Sequence, residues 1–279
     1  MIKIVADTTC SIPVKELEEL GVAVLPQIII FGEQTYRDDT EIDHSTFLIK
    51  LKAASVLPKT AAPPPVLYNP IFEAEGKAGN SLVVICPSAE LSGTYRSAET
   101  AAQEFPGTDI HIIDTRTIGS GLGSIVHCAV DWANEGLSAI EIVDRVKAMA
   151  KREHVYFMVD TLEYLRKGGR IGGVQALLGT LVQVKPILTI GNGRVEPFEK
   201  QRTKIRAVAR LKELVKADCT TDTGCYLSVM HGAAIEEASI FAKELAELIQ
   251  VPEVRFYDLP PAIMVHAGPG VLAVSYFVK

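Results

Sequence analysis

What this chain lacks narrows its chemistry first. No C-x-x-C, H-E-x-x-H or H-x₃-H spacing occurs, although there are five cysteines and six histidines. The cysteines stand singly at positions 10, 86, 128, 219 and 225, and their number is odd. Neither a zinc site nor a disulfide framework is therefore expected, and a reducing cytoplasm is the compartment that fits. No G-x-x-x-x-G-K-[ST] stretch is present, which removes the usual phosphate cradle of nucleotide-hydrolysing proteins. The start, MIKIVADTTC, has none of a secretion signal's arrangement, and no apolar run is long enough to span a bilayer. Cations are in deficit: 28 Lys and Arg against 34 Asp and Glu give a formal charge of −6. Nucleic acid or an anionic membrane would need a local basic patch to overcome that balance. The nearest candidate, Lys200 to Lys212 (KQRTKIRAVARLK), has the spacing of an amphipathic helix with a solvated basic face.

What remains is a globular composition. Hydrophobic residues make up 48% and charged residues 22% of 279, enough for one large or two medium domains. The first half alternates strand-like and helix-like stretches. IKIVA is apolar and β-branched, and the stretch after it enters a helix near Pro13 that stops at Gly21. VAVLPQIIIF is strand-like, with Pro26 implying an edge or a break. STFLIKLKAA reads as helix, LPKTAAPPP as a loop, and VLYNPIFEAEGKA as helix again. SLVVI and DIHIID are strands, followed by helices in SIVHCAVDWANEG and SAIEIVDRVKAMAKREH. This rhythm predicts an α/β first domain, residues 1–152, with a mainly parallel sheet and flanking helices. Residues 153–279 predict a smaller, mixed α/β domain. It contains the strand VYFMVD, a short helix ended by paired glycines in TLEYLRKGGRIGG, and an Asn192-Gly193 hairpin. A basic helix, CYLSVMHG, a long helix over AAIEEASIFAKELAELIQ and the strands VRFYDL and VLAVSYFV follow. No low-complexity linker separates the halves, so they are expected to pack closely around a cleft.

In a parallel sheet, ligands bind beyond the carboxyl ends of the strands. Four segments qualify, all bearing hydroxyls: Asp7-Thr8-Thr9, Thr60-Ala61-Ala62, Ser92-Gly93-Thr94 and Asp114-Thr115. A helix start presents unpaired N–H groups to an anion, and Gly93 lets backbone approach closely. The competing reading is plain capping, for which Ser, Thr and Asp are the preferred residues. Capping is the better account of Thr8, Thr9 and Thr115, while Ser92 and Thr60 fit either reading. Asp7 and Asp114 lack a third metal ligand, so they read as caps or loop braces. The glycines of Ile118 to Gly123 (IGSGLG) do not match G-x-G-x-x-G and fit a helix entry packed tightly on a neighbour. Arg166, Lys167 and Arg170 in LRKGGRIGG suit a helix C-terminus, with Arg170 addressing an anion or a partner as the sharper alternative. His266 precedes Gly268-Pro269-Gly270 on what reads as a turn; it could cap, donate to a carboxylate or act as a base. A Ser92–His266 couple would begin a serine hydrolase, yet Ser92 lacks the G-x-S-x-G elbow and no acid is placed to orient the histidine.

Six stretches in order, VADTTCSIP, PKTAAPP, LSGTYRSA, DTLEYLRKGGRI, VKPILTIGNGRVEPFEKQRTKIRA and HAGPGVLAVSYF, together resemble the DegV family. They run from Asp7 to Phe277, nearly the whole chain. Singly each is weak; as an ordered set they are specific. The resemblance implies a two-domain fold holding a long-chain fatty acid between the domains. It also implies a carboxylate gripped by Thr60, Ser92 and His266, with Gly93 and Thr94 as further candidate contacts. Arg170 and Arg202 fall on family arginines that serve near the carboxylate or in docking. The resemblance implies as partner a separate, ATP-using fatty acid kinase subunit, to which the carboxylate is presented for acyl phosphate formation and phospholipid synthesis. No catalytic residue, metal or cofactor other than the bound fatty acid is implied, and neither nucleic acid nor integral membrane association. One departure stands out: the family often reads Thr-Ser-Gln-Pro where this chain has Thr60-Ala61-Ala62-Pro63, so a contact from position 61 is in doubt.

Elementary energetics suits that ligand. Each buried methylene contributes about 0.8 kcal/mol, so a long tail supplies most of the affinity. A desolvated carboxylate needs compensating donors, which hydroxyls, helix-start N–H groups and a histidine provide. The mean hydropathy of +0.20 is compatible with extra apolar lining. The alternatives are a serine hydrolase acting on an apolar acyl substrate, and a carrier of another apolar anion.

Overall fold

The computed structural model describes residues 1–178, 184–219 and 225–278. The chain divides into two compact units: Met1–Lys151 with Pro260–Ala262, and Arg152–Leu259 with Ile263–Lys279.

In chain order the first unit contains β1 (Ile2–Asp7), α1 (Val14–Glu19), β2 (Ala23–Leu25), β3 (Ile28–Phe31), β4 (Gln34–Arg37) and α2 (His44–Ala53). It continues through β5 (Lys59–Ala61), α3 (Asn69–Lys77), β6 (Ser81–Cys86), α4 (Thr94–Ala102), β7 (Ile110–Asp114), α5 (Ser120–Asn134) and α6 (Ala139–Ala150). Four strands form a sheet in the order β2-β1-β6-β7, every pair parallel. The central pair, β1 and β6, is apolar almost without interruption, as strands covered on both faces must be. On one side Tyr68, Phe72 and Ala98 pack with Val5, Leu82 and Val84. Ser138 and Glu141 close a capping box that starts α6 where the polar-to-apolar pattern changes.

Pro26 marks a break, as its missing N–H predicts. The apolar run leaves β2 at the edge of the parallel sheet and enters β3, the centre of a separate antiparallel sheet in the order β4-β3-β5. This second sheet corrects the reading of Lys59–Ala61 as loop. Those residues pair with Ile28–Ile30, so Thr60 is fixed opposite Ile29 in an edge strand. The three-residue length hid the strand, because its pairing partner is remote in sequence.

The second unit contains β8 (Glu153–Met158), α7 (Glu163–Lys167), β9 (Lys185–Gly191), β10 (Arg194–Gln201), α8 (Lys204–Asp218) and β11 (Ser228–His231). After these come α9 (Ile235–Ile249), β12 (Arg255–Asp258) and β13 (Leu272–Phe277); α10 (Pro261–Ala267) lies before β13 and begins in the segment grouped with the first unit. Its sheet is mixed: β10-β9-β8-β13-β11-β12, antiparallel except for β11 with β12. Asn192 and Gly193 both take positive φ, 51° and 79°, the turn that matches strand twist in a two-residue hairpin. Helices α8 and α9 bury Leu211, Val215, Phe241 and Leu245 against Val229, Val274 and Tyr276 of the sheet. The basic stretch is not one helix: Lys200 and Gln201 end β10, and Thr203 caps α8 through Arg206 N–H. Its cations meet acids, Lys204 with Glu237, Arg210 with Glu199 and Glu213, and Lys212 with Glu244. That pairing fits a solvated face. Residues 179–183, inside the stretch read as leading into β9, lie outside the described residues.

The glycines of Ile118 to Gly123 act as packing residues. A Cβ at Gly123 in α5 would lie 2.5 Å from the carbonyl oxygen of Cys10 and 3.0 Å from Ile12. Alanine is the better helix former by about 1 kcal/mol, but overpacking against backbone costs about 1–3 kcal/mol. Gly123→Ala is therefore expected to destabilise the protein by up to about 2 kcal/mol in urea unfolding; stabilisation would contradict this packing.

Candidate functional site

The carboxyl end of β1 carries a buried polar network. Asp7, 1% exposed, accepts hydrogen bonds from Thr9 N–H at 3.0 Å, from the Thr9 hydroxyl, from Gln27 Nε2 at 2.6 Å and from Thr94 Oγ1 at 2.8 Å. Gln27 also donates through Nε2 to Thr94 Oγ1 at 2.9 Å. Its backbone N–H donates to Asp38 at 2.8 Å, and Asp38 accepts from the Thr8 hydroxyl at 2.8 and 2.9 Å. Burial raises the pKa of both acids; that of Asp38 is pushed up to about 7, with Thr8 opposing and the charge of Asp7 reinforcing the shift. Asp7 thus caps the turn Thr8–Cys10, as expected, but it also ties β1, the entry to β3 and the start of α4 together.

Ser92 stands at that start. Its Oγ lies 2.9 Å from Thr94 Oγ1 and accepts from Thr94 N–H at 3.3 Å. Both hydrogen bonds that this hydroxyl makes among the described residues go to Thr94. Gly93 precedes α4, and a Cβ there would come within 3.3 Å of Ala62. The Ser97 hydroxyl donates to the Pro63 carbonyl, and Tyr68 donates to the Thr94 carbonyl at 3.2 Å. The structure thus brings the segment after Thr60 against the Ser92-Gly93-Thr94 segment, within one unit. Asp114 and Thr115 only brace their loop: Asp114 accepts from Ala89 and Arg116 N–H, and Thr115 donates to the Cys86 carbonyl.

In the second unit His266 is the penultimate residue of α10, which corrects its reading as a turn residue. The brevity of Pro261–Ala267, hemmed by prolines and Gly268, concealed the helix. A Cβ at Gly168 would lie 2.2 Å from His266 Nδ1, and one at Gly268, whose φ is +78°, 2.5 Å from the Tyr164 ring. These two glycines let an imidazole and a phenol ring close on the backbone. Arg170 donates to the Gly168 carbonyl at 2.8 Å, and burial lowers its pKa. Burial first, and then the Arg170 guanidinium, push the His266 pKa down to about 4 against an opposing hydrogen bond with the Gly168 backbone, so near neutral pH it is an uncharged imidazole. Arg202 directly follows β10 and is exposed.

Among the described residues no group of three His, Cys, Asp or Glu could hold a metal, and no helix is long and apolar enough to cross a membrane. The described cysteines are unpaired by disulfides and all buried. Gln27 and Asp38 were not singled out from sequence; a lone glutamine within VAVLPQIIIF was the available signal.

The pattern of the DegV family, described as an uncharacterised protein family, matches residues 1–279. The chain belongs to the DegV family. A DegV domain-containing protein of Halalkalibacterium halodurans is 32% identical over 279 residues, covering 100% of this chain and 99% of the other. The structure is similar to that of a DegV family protein from Thermus thermophilus described as fatty acid binding, with a TM-score of 0.90, 30% identity, and 100% and 99% of the two chains covered. DegV from Bacillus subtilis, a fatty acid binding protein, matches with a TM-score of 0.88, 32% identity and the same coverage. The α/β organisation expected from sequence, parallel sheet and mixed sheet, is the one these DegV structures share.

The two shifted groups tilt stability in opposite directions. Folded Asp38 keeps its proton up to about pH 7 against 3.8 when unfolded, so its contribution falls as pH rises through that window. Folded His266 refuses a proton until about pH 4 against 6.5 unfolded, so its contribution falls as pH drops through that window. Asp38→Asn removes the first tilt. Its unfolding free energy, measured by urea titration from pH 4 to 7, should rise with pH more steeply than the wild type's, by up to about 1.4 kcal/mol per pH unit. Parallel profiles would contradict the raised Asp38 pKa.

Proposed function

We propose that this protein binds a long-chain fatty acid, holding the carboxylate at Thr60, Ser92 and His266 and the tail in an apolar lining. The observation that carries the reading is full-length similarity, at 30% and 32% identity, to two DegV structures described as fatty acid binding. The local chemistry supports it. Ser92 sits at a helix start beside Gly93, a place in a fold that favours an anion. A neutral His266 donates a hydrogen bond without acting as a counter-ion. Ala61 carries no hydroxyl, so in this reading Thr60 serves alone from its segment.

The protein is then a cytoplasmic carrier without catalytic chemistry of its own. It presents the carboxylate to a separate fatty acid kinase subunit, which forms the acyl phosphate used in phospholipid synthesis. Arg170 and Arg202 are the cations proposed to serve near the carboxylate or in docking that partner. A serine hydrolase gains no support, because the Ser92 hydroxyl bonds to Thr94 and not to a base.

Native mass spectrometry of the purified protein should show one long-chain acid per chain, and uptake of added acid after stripping. An empty protein that refuses such acids would overturn the reading, as would labelling of Ser92 by a fluorophosphonate. Hydrogen bonds to a charged group are worth about 1.5–3 kcal/mol, so Ser92→Ala and His266→Ala should each weaken binding roughly 10- to 100-fold. Ser92→Ala should remain folded by circular dichroism; normal affinity with a much lower melting temperature would make Ser92 a cap only.

A further inference from the structure

This inference rests on the fatty-acid reading above and concerns the proton such binding requires. A ligand carboxylate at Ser92 would begin a row that runs through Ser92 Oγ and Thr94 Oγ1 to Asp7 Oδ2. Ser92 Oγ and Thr94 Oγ1 are 2.9 Å apart, and Thr94 Oγ1 is 2.8 Å from Asp7. The row has a carboxylate at each end and three hydrogen bonds to make. Its two hydroxyls supply one proton each.

With Asp7 ionised, Thr94 gives its proton to Asp7 and Ser92 gives its own to Thr94. Ser92 then turns only lone pairs outward and has nothing to donate to an anion. The neighbours do not relieve this. Gln27 Nε2 donates to both Thr94 Oγ1 and Asp7 Oδ2, and Thr94 N–H donates to Ser92 Oγ, so each fills a lone pair. Were Ser92 simply to swing its proton to the ligand, two oxygens 2.9 Å apart would face each other with none between them.

We propose that Asp7 takes up one proton from solvent when a fatty acid carboxylate is seated at Ser92, reversing the row so that Ser92 donates to the ligand. Asp7 then donates to Thr94, Thr94 to Ser92, and Ser92 to the carboxylate. Every acceptor position is still filled: Thr94 Oγ1 accepts from Asp7 and Gln27, and Ser92 Oγ accepts from both the hydroxyl and the N–H of Thr94. The charges balance, since one proton, ionised Asp7 and the anion become neutral Asp7 with the anion bound.

The surroundings favour a neutral Asp7. It is buried, and the ionisable groups acting with it are Asp38, Cys10, Cys86 and Tyr68. Burial pushes the Cys10 thiol up to about 12 and raises Cys86 and Tyr68 as well, so those three stay uncharged at neutral pH. Asp38 bonds to Thr8 and to the Gln27 backbone, not to Thr94, so a proton there cannot turn the row.

The test is calorimetric titration of the full, lipid-stripped chain with sodium laurate below its micellar concentration, at pH 8, in buffers of differing ionisation enthalpy. About one proton should be taken up per laurate, with affinity falling about tenfold per pH unit as pH rises. Thr94→Val, which keeps the volume and cuts the row, should take up almost no proton with whatever laurate it binds. Laurate labelled with ¹³C at its carboxyl should show an ionised ligand by NMR. Wild-type binding without proton uptake would overturn the proposal, and a protonated ligand carboxyl would overturn the assignment to Asp7. Should Thr94→Val fail to fold, the wild-type proton count and the labelled carboxyl still decide. Failure of the wild type to bind laurate and longer acids such as palmitate alike would overturn the fatty-acid reading, and the proton coupling with it.

Discussion

A carboxyl group buried at the end of the first strand is the constraint on which the first unit depends. Removing such a group from water is costly unless it is fully hydrogen-bonded. Asp7 meets that condition with donors from three places: its own turn at Thr9, the entry to β3 at Gln27, and the first residue of α4 at Thr94. Each carboxyl oxygen accepts two of these bonds, so losing one donor removes a bond worth about 0.5–3 kcal/mol and leaves the oxygen with its other partner. The parallel sheet, the antiparallel sheet and the helix that follows β6 are therefore fixed to one another at a single point. Ser92 lies two residues before Thr94 and bonds to its hydroxyl, so the contacts that hold the fold also bear on the direction of the Ser92 hydroxyl.

The second unit reaches rigidity by a different route. There the constraint is steric, and glycine supplies it. Gly168 leaves room for the His266 ring and Gly268 for the Tyr164 ring, while a Cβ at Gly270 would overlap the Asp160 carboxyl at 1.9 Å. Burial, and then the Arg170 guanidinium, keep the histidine uncharged.

Much of this was legible in the residues because the signals were local. The apolar runs of β1 and β6, the break at Pro26 and the Asn192-Gly193 hairpin all follow from chemistry within a few positions. Asp7 as a cap was legible too. What escaped was set by distant partners: β5 becomes a strand only because β3 lies beside it, and α10 is a helix too short to show periodicity. Asp38 and Gln27 escaped for the same reason, since their partners lie 30 and 67 residues away at Thr8 and Thr94. The Thr60, Ser92 and His266 set came from resemblance to a family; spacing alone left each of them open between a structural and a binding role.

The most direct test of the account is a crystal structure of the protein loaded with a long-chain fatty acid. The account predicts a ligand carboxylate oxygen about 2.5–3.0 Å from Ser92 Oγ, with its tail in apolar surroundings. A carboxylate seated elsewhere, with the Ser92 hydroxyl still bonded to Thr94 alone, would contradict it.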